Sequence, residues 1–282
     1  MNEKLNLSFW NMRHAWLIGK TSYLETVRMK LFYALLALSL FSLGCSFLLQ
    51  EFNFGSDELK FIMDFGFGGM TFFGSILAIV TASQLFYGEI EDRTVFTILA
   101  KPIRRSEFVV GKFIGAWFCI VSFVLCLTLC LMLSLFVRES ILMSQYPEVF
   151  SEGRLLNYLD VLGFGFMQCV RLGMLGSIVI LFSSYATSSL FSIIIGVVTW
   201  ILGQLQHLAV NAWGQYDSLF LNTILFIVSI ALPNFHLYDF GDKIALGESA
   251  SISVYLQLVG YGALYCALYL SLAVLSFRER EL

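Results

Sequence analysis

The sequence predicts an all-α membrane protein with six transmembrane helices, an N-terminal amphipathic elbow helix and a re-entrant segment before the last span. Three observations predict it. Apolar residues make up 58% of the chain and charged residues 13%, against about 45–50% and about 25% in soluble domains. The apolar residues fall in separate runs of about twenty, the length a helix needs to cross the hydrocarbon of a bilayer. The basic residues crowd into the segments on one side of those runs. Spans and short loops consume the length, so residues 1–282 read as one membrane domain: 1–30 the elbow, 31–277 the spans, 278–282 a short tail.

In the elbow, Phe9, Met12, Trp16, Tyr23 and Val27 recur at helical spacing, with Asn11, Arg13, Lys20, Glu25 and Arg28 between them. This predicts an amphipathic helix in the cytoplasmic interface, with Trp10 and Trp16 at headgroup depth. A helix packed on a partner would show the same pattern, but continuity with a span favours the interface. The first long apolar run starts at Leu31. That is too far in, and the run too long, for the apolar core of a signal peptide, so it is expected to remain as an anchor.

The predicted spans are 31–49, 66–86, 113–137, 161–182, 190–208 and 252–277, with 183–189 as a polar turn between the fourth and fifth. The run 219–232 is about 14 residues long and stops at Pro233, a length that suits a re-entrant or interfacial segment. All six cysteines (45, 119, 126, 130, 169 and 266) lie inside apolar runs with no CxxC pair, and read as small packing residues. The glycine clusters 66–69, 163–165 and 173–176 read chiefly as sites of close helix approach.

Charge orients the bundle. One side carries Lys4, Arg13, Lys20, Arg28, Lys30, Arg93, Lys101, Arg104, Arg105, Lys112, Arg278 and Arg280; the other has only Lys60, Arg138, Arg154 and Lys243. The positive-inside rule then puts both termini in the cytoplasm. A seventh span would place Arg278 and Arg280 outside.

Motifs for catalysis are missing. Gly19-Lys20-Thr21 has the tail of a phosphate-binding loop, but His14 occupies the first glycine position, and Gly111-Lys112 is followed by Phe113. This excludes ATP hydrolysis by such a loop. There is no His-Glu-x-x-His and no Gly-x-Ser-x-Gly, and His14, His207 and His236 are scattered. No metal site is expected. Arg171 lies mid-way along the fourth predicted span, where a charge costs about 2.5–3.5 kcal/mol on insertion scales. It reads either as part of a pathway or subunit interface, or as a structural partner of Asp64, Asp160 or Gln168.

The most specific segment is the charged island 87–112, Tyr-Gly-Glu-Ile-Glu-Asp-Arg-Thr-Val-Phe-Thr-Ile-Leu-Ala-Lys-Pro-Ile-Arg-Arg-Ser-Glu-Phe-Val-Val-Gly-Lys. Opposite charges frame an apolar stretch, Val95 to Ala100. Pro102 drives Lys101 out of helix, and Ser106 is placed to cap the helix that follows. A loop that only orients spans needs no such apolar stretch. The pattern is expected to form a short helix across the cytoplasmic face that fits a cleft in a motor protein.

These residues resemble the first cytoplasmic loop of ABC transporter permeases of the type-2 exporter (ABC-2) family. The match falls on Tyr87, Glu89, Ile90, Glu91, Arg93, Thr94, Leu99, Lys101, Pro102, Arg105, Glu107, Gly111 and Lys112. The segment 232–239 and the tail 277–280 also look family-like, whereas Ala100 and Arg171 depart from the pattern. The resemblance implies a permease subunit of an ATP-driven exporter in a cell membrane, the bacterial inner membrane by expectation. It would pair with itself or a homologous permease, amid membrane lipid. A separate cytoplasmic ABC ATPase would dock through Glu89, Glu91, Arg93, Thr94, Lys101, Pro102, Arg105, Glu107 and Lys112. ATP and Mg would belong to that partner, with no cofactor in this chain and no nucleic acid. The rival readings are a non-transporting anchor that recruits a cytoplasmic complex for envelope assembly or motility, and a motor-independent channel or secondary transporter.

Overall fold

Apolar runs of this length satisfy their backbone groups only as helices once water is gone, and the computed structural model winds each predicted run into one. It describes residues 12–49, 58–88, 104–145, 156–186, 188–212, 219–245 and 251–279. The long helices are α1 (Met12–Val27), α2 (Lys30–Leu49), α3 (Glu58–Ser83), α4 (Arg105–Gln145), α5 (Tyr158–Tyr185) and α6 (Ser189–Ala212). Then follow α7 (Leu219–Ala231), a 3-10 turn (Phe235–Tyr238), the short α8 (Gly241–Ala245) and α9 (Ile252–Glu279). No strand occurs among the described residues. The chain is an all-α membrane protein. Helices α3, α4, α5, α6 and α9 are each long and apolar enough to cross a bilayer, and α1 with α2 forms the sixth candidate across a 61° bend.

The observed helices overrun the predicted spans. Helix α4 has 41 residues, because hydropathy marks the hydrocarbon crossing while the helix continues past it through polar residues. Its start is not capped by Ser106, as the sequence suggested. Glu107 instead reaches back one turn, its Oε2 accepting the backbone N–H of Arg104 at 3.3 Å. That is the reciprocal half of a capping box. At the far end, Arg138 clasps Glu58 at the start of α3, with Nε 3.1 Å from Oε2. The buried Glu139 accepts the Tyr158 hydroxyl at 2.6 Å, fixing the start of α5.

Helix α5 is the centre of the bundle. It packs against α3, α4, α6 and α9 and is buried over most of its length. Small residues set the approach: Gly165 faces the Thr128 hydroxyl and Gly74 faces Leu172, with no room for a Cβ at either. At Gly68 and Gly69, in the 66–69 cluster, nothing lies within 4 Å of an added Cβ, so close packing explains only part of the sequence clusters. All six cysteines are free thiols within helices.

The polarity of the packing is that of a membrane protein. On α6 the buried seam is Ser192, Gly196, Thr199, Gly203 and Gln206, while Leu190, Phe191, Ile194, Val198 and Leu205 face outward. On α1 the buried seam is Ala15, Gly19, Ser22 and Thr26. Trp16, on the apolar face that the sequence assigns to the membrane interface, is 54% exposed, and small residues make the contact with α4. In lipid the inner seam is chosen for close approach rather than for hydrophobicity.

Between α6 and α9 the chain forms a hairpin. Helix α7 runs back along α6, where the Gln206 side-chain amide donates to the Ser229 carbonyl at 2.8 Å. Its last carbonyls meet a tyrosine stripe on α9: Tyr265 donates to Ile230 at 3.1 Å, and Tyr269 to Ala231. The chain turns at Pro233-Asn234, where the Tyr261 hydroxyl accepts the Asn234 N–H at 3.0 Å. It then climbs back along α9, where Tyr238 donates to the Leu258 carbonyl at 2.7 Å, and α8 ends against α3. With 13 residues, α7 is about 20 Å long, short of a full crossing.

Candidate functional site

The charged island begins and ends at one junction. After α3 the chain makes a π-helical turn, Gln84–Gly88, and it is described again from Arg104. Phe86 from that turn and Phe108 from the first turn of α4 are both fully buried. They meet Phe277 from the last turn of α9, with ring centroids 5.9 Å (Phe86–Phe108), 5.4 Å (Phe86–Phe277) and 5.6 Å (Phe108–Phe277) apart. One aromatic cluster thus binds the entrance of the loop, its exit and the end of the last helix.

Three of the proposed coupling residues are described, and all three turn inward. The Arg105 Nη1 donates to the carbonyls of Phe277 and Arg278, each at 2.9 Å. The last carbonyls of a helix have no partners of their own, and a basic side chain satisfies them. Its guanidinium also lies 5.8 Å from the Phe277 ring centroid. Glu107 is 3% exposed and, besides its capping bond, faces His14 Nδ1 of α1 at 3.4 Å. That contact lies off the line of a hydrogen bond, so it attracts only when His14 is protonated. Lys112 is 2% exposed, with its Nζ 5.9 Å from the Phe108 ring centroid and 4.0 Å from Glu25 of α1. Glu89, Glu91, Arg93, Thr94, Lys101 and Pro102 lie outside the described residues, as does the expected short helix across 95–100.

Helix α1 belongs to the same junction. Its small-residue seam lies on α4, where Gly111 and Gly115 let the two backbones meet. A Cβ at Gly115 would stand 2.5 Å from Ser22 Cβ and 2.8 Å from the Gly19 carbonyl. Four segments are therefore mechanically tied: α1, the end of α3, the start of α4 and the end of α9. The arrangement can pass a displacement. Among the described residues no group of three or more His, Cys, Asp and Glu is placed to hold a metal.

Arg171 occupies a second polar centre, half-way along α5, and is 1% exposed. Its Nη2 donates to Gln204 Oε1 of α6 at 2.7 Å, and its Nη1 lies 3.5 Å from Gln168 Oε1. The guanidinium sits 5.9 Å from the ring centroid of Phe235 at the hairpin tip. Asp239, on the return of the hairpin, is near enough to attract it electrostatically. Of the three partners the sequence offered, the structure supplies Gln168; Asp160 is engaged by Asn157 at 2.9 Å. Gln204, the nearer partner, escaped sequence reading. The signal was the pair Gln204 and Gln206 inside an otherwise apolar run. Also unforeseen is the stacking of His207 on His236, with centroids 4.2 Å apart, which adds a contact between α6 and the hairpin.

A family model described as "ABC-2 family transporter protein" matches residues 6–282. No curated protein matches the chain.

Proposed function

The chain belongs to the ABC-2 family of transporter proteins, and from that premise we propose that it is the membrane subunit of an ATP-driven exporter whose ATPase is a separate cytoplasmic chain. It is a multi-pass membrane protein and, by family, an ABC transporter permease. The observation that carries the finer reading is the junction. Both ends of the charged island are clamped with the end of α9 through Phe86, Phe108, Phe277 and Arg105. A push on the island therefore reaches α3, α4 and α9 together.

In this reading the island and both termini face the cytoplasm, as the basic residues require. Glu89, Glu91, Arg93, Thr94, Lys101 and Pro102 form the face the ATPase grips. Arg105, Glu107 and Lys112 hold the base of the loop and hand the motion on. ATP and Mg act in the partner, and two permeases, identical or homologous, frame the pathway. The hairpin α7–α8 dips from the outer side to mid-membrane and returns, anchored by Arg171.

The test is co-purification. Glu91→Lys combined with Arg93→Glu reverses two charges of the island and leaves the spans untouched. The double variant should insert normally but lose the ATPase from affinity-purified complexes. Breaking charge pairs at an interface costs about 2–5 kcal/mol, enough to release a micromolar partner. Retention of the ATPase in equal amount would leave the loop with an orienting role only.

A further inference from the structure

Between α1 and α4 lies a groove of about 550 Å³ that the coupling junction does not use. Trp16, Lys20 and Tyr23 line one wall, and Phe118, Ser122 and Leu125 the other. Trp16 and Phe118 close one end edge to face, with centroids 5.6 Å apart. The lining is almost wholly apolar, and its one charge is Lys20. Among the described residues no carboxylate pairs with Lys20. The one acidic residue of α1, Glu25, is turned toward Lys112. Arg13 and Arg28 stand exposed on either side of the groove in sequence. An apolar slot of this size is large enough for a small-molecule ligand, and a solitary cation on its rim selects for an anion.

We propose that this groove binds one anionic glycerophospholipid, its acyl chain between Trp16, Phe118 and Leu125 and its phosphate on Lys20. The occupant follows from the surroundings. Helix α1 runs through a bend into α2, so what bathes the groove is bilayer. An aromatic and lysine pair at such a boundary suits a chain below and a headgroup above. A zwitterionic headgroup would bring its ammonium up to Lys20, Arg13 and Arg28, whereas a net-negative one meets only attraction. The proposal rests on the α1–α4 contact and stands apart from ATPase docking.

The probe is an equimolar mixture of phosphatidylglycerol and phosphatidylcholine, added to the full-length chain in detergent and followed by native mass spectrometry. The wild type should retain one phosphatidylglycerol per chain. Lys20→Gln should keep a bound lipid but lose about fivefold of the preference, the factor one lysine contributes near an anionic headgroup. Ser122→Trp, which adds an indole to the α4 wall of the groove, should lose the lipid. Lys20 is exposed, so its replacement does not threaten folding, and the preference can be read even if the tryptophan variant fails to insert. Phosphatidylglycerol with brominated chains should also quench a fluorescence component that Trp16→Phe removes. No retained lipid, a preference unchanged by Lys20→Gln, or the absence of that quenched component would each overturn the site. So would a groove that is occupied only when the ATPase is present.

Discussion

Arg171 is where single residues matter most. A sequence shows a charge in mid-span but not its partner. Gln168 was legible because it lies one helical turn away, whereas Gln204 is 33 residues along the chain and is brought near only by the packing of α6 on α5. This arrangement makes an asymmetric prediction. Gln204→Leu leaves the guanidinium buried and loses its shorter bond, which should destabilise by about 1.5–3 kcal/mol, the range for hydrogen bonds to charged groups. Arg171→Met removes the charge along with the bond and orphans only neutral amide oxygens, which costs less than leaving a charged group buried without its partner. Thermal unfolding of the detergent-solubilised protein should therefore rank Gln204→Leu below Arg171→Met. The reverse order would mean that a carboxylate, Asp239 foremost, carries more of the site than the glutamine does.

At the scale of elements, the seam of α1 on α4 sets the next prediction. A methyl group at Gly115 would press on Ser22 and on the backbone of Gly19, and backbone cannot move aside cheaply. Gly115→Ala should cost about 1–3 kcal/mol and speed trypsin cleavage after Lys20, because α1 then opens from α4 more often. Gly44→Ala is the matched control. Nothing lies within 4 Å of a Cβ there, and alanine favours helix by about 0.5–1 kcal/mol. Equal stability of the two variants would dissolve the seam. The six helices α2–α6 and α9 and the short run before Pro233 were legible because hydropathy reports the bilayer directly. The ends of α4 and the inner face of α1 were not. Polar ends look like loop to hydropathy, and a spacing that marks the apolar face of α1 does not show that Ala15, Gly19, Ser22 and Thr26 turn toward α4.

Across the whole molecule, the proposed mechanism assigns gripping and transmitting to different residues. The island looked continuous in sequence because its charges are continuous there. Yet Arg105 serves the carbonyls of a helix 172 and 173 residues away, and Glu107 and Lys112 are buried against α1. No local pattern encodes those partners, so the sequence could mark the segment but not divide it. The division predicts two phenotypes. Charge reversal at Glu91 and Arg93 should detach the ATPase. Phe108→Leu should not, because Phe108 is fully buried and leucine keeps most of the volume, losing about 0.5–1.5 kcal/mol of aromatic contact with Phe86 and Phe277. The ATPase should co-purify with Phe108→Leu at wild-type stoichiometry and still hydrolyse ATP. What should fall is transmission. Spin labels at position 252, at the far end of α9 in paired permeases, should change separation on adding ATP and vanadate in the wild type, and change severalfold less in the variant. This readout needs no knowledge of the substrate. A full distance change with Phe108→Leu would mean that motion bypasses the aromatic cluster. Loss of the ATPase would instead assign Phe108 to the gripping face. Reduced motion with the ATPase still bound follows only if Phe86, Phe108 and Phe277 carry the stroke from the loop to the last helix.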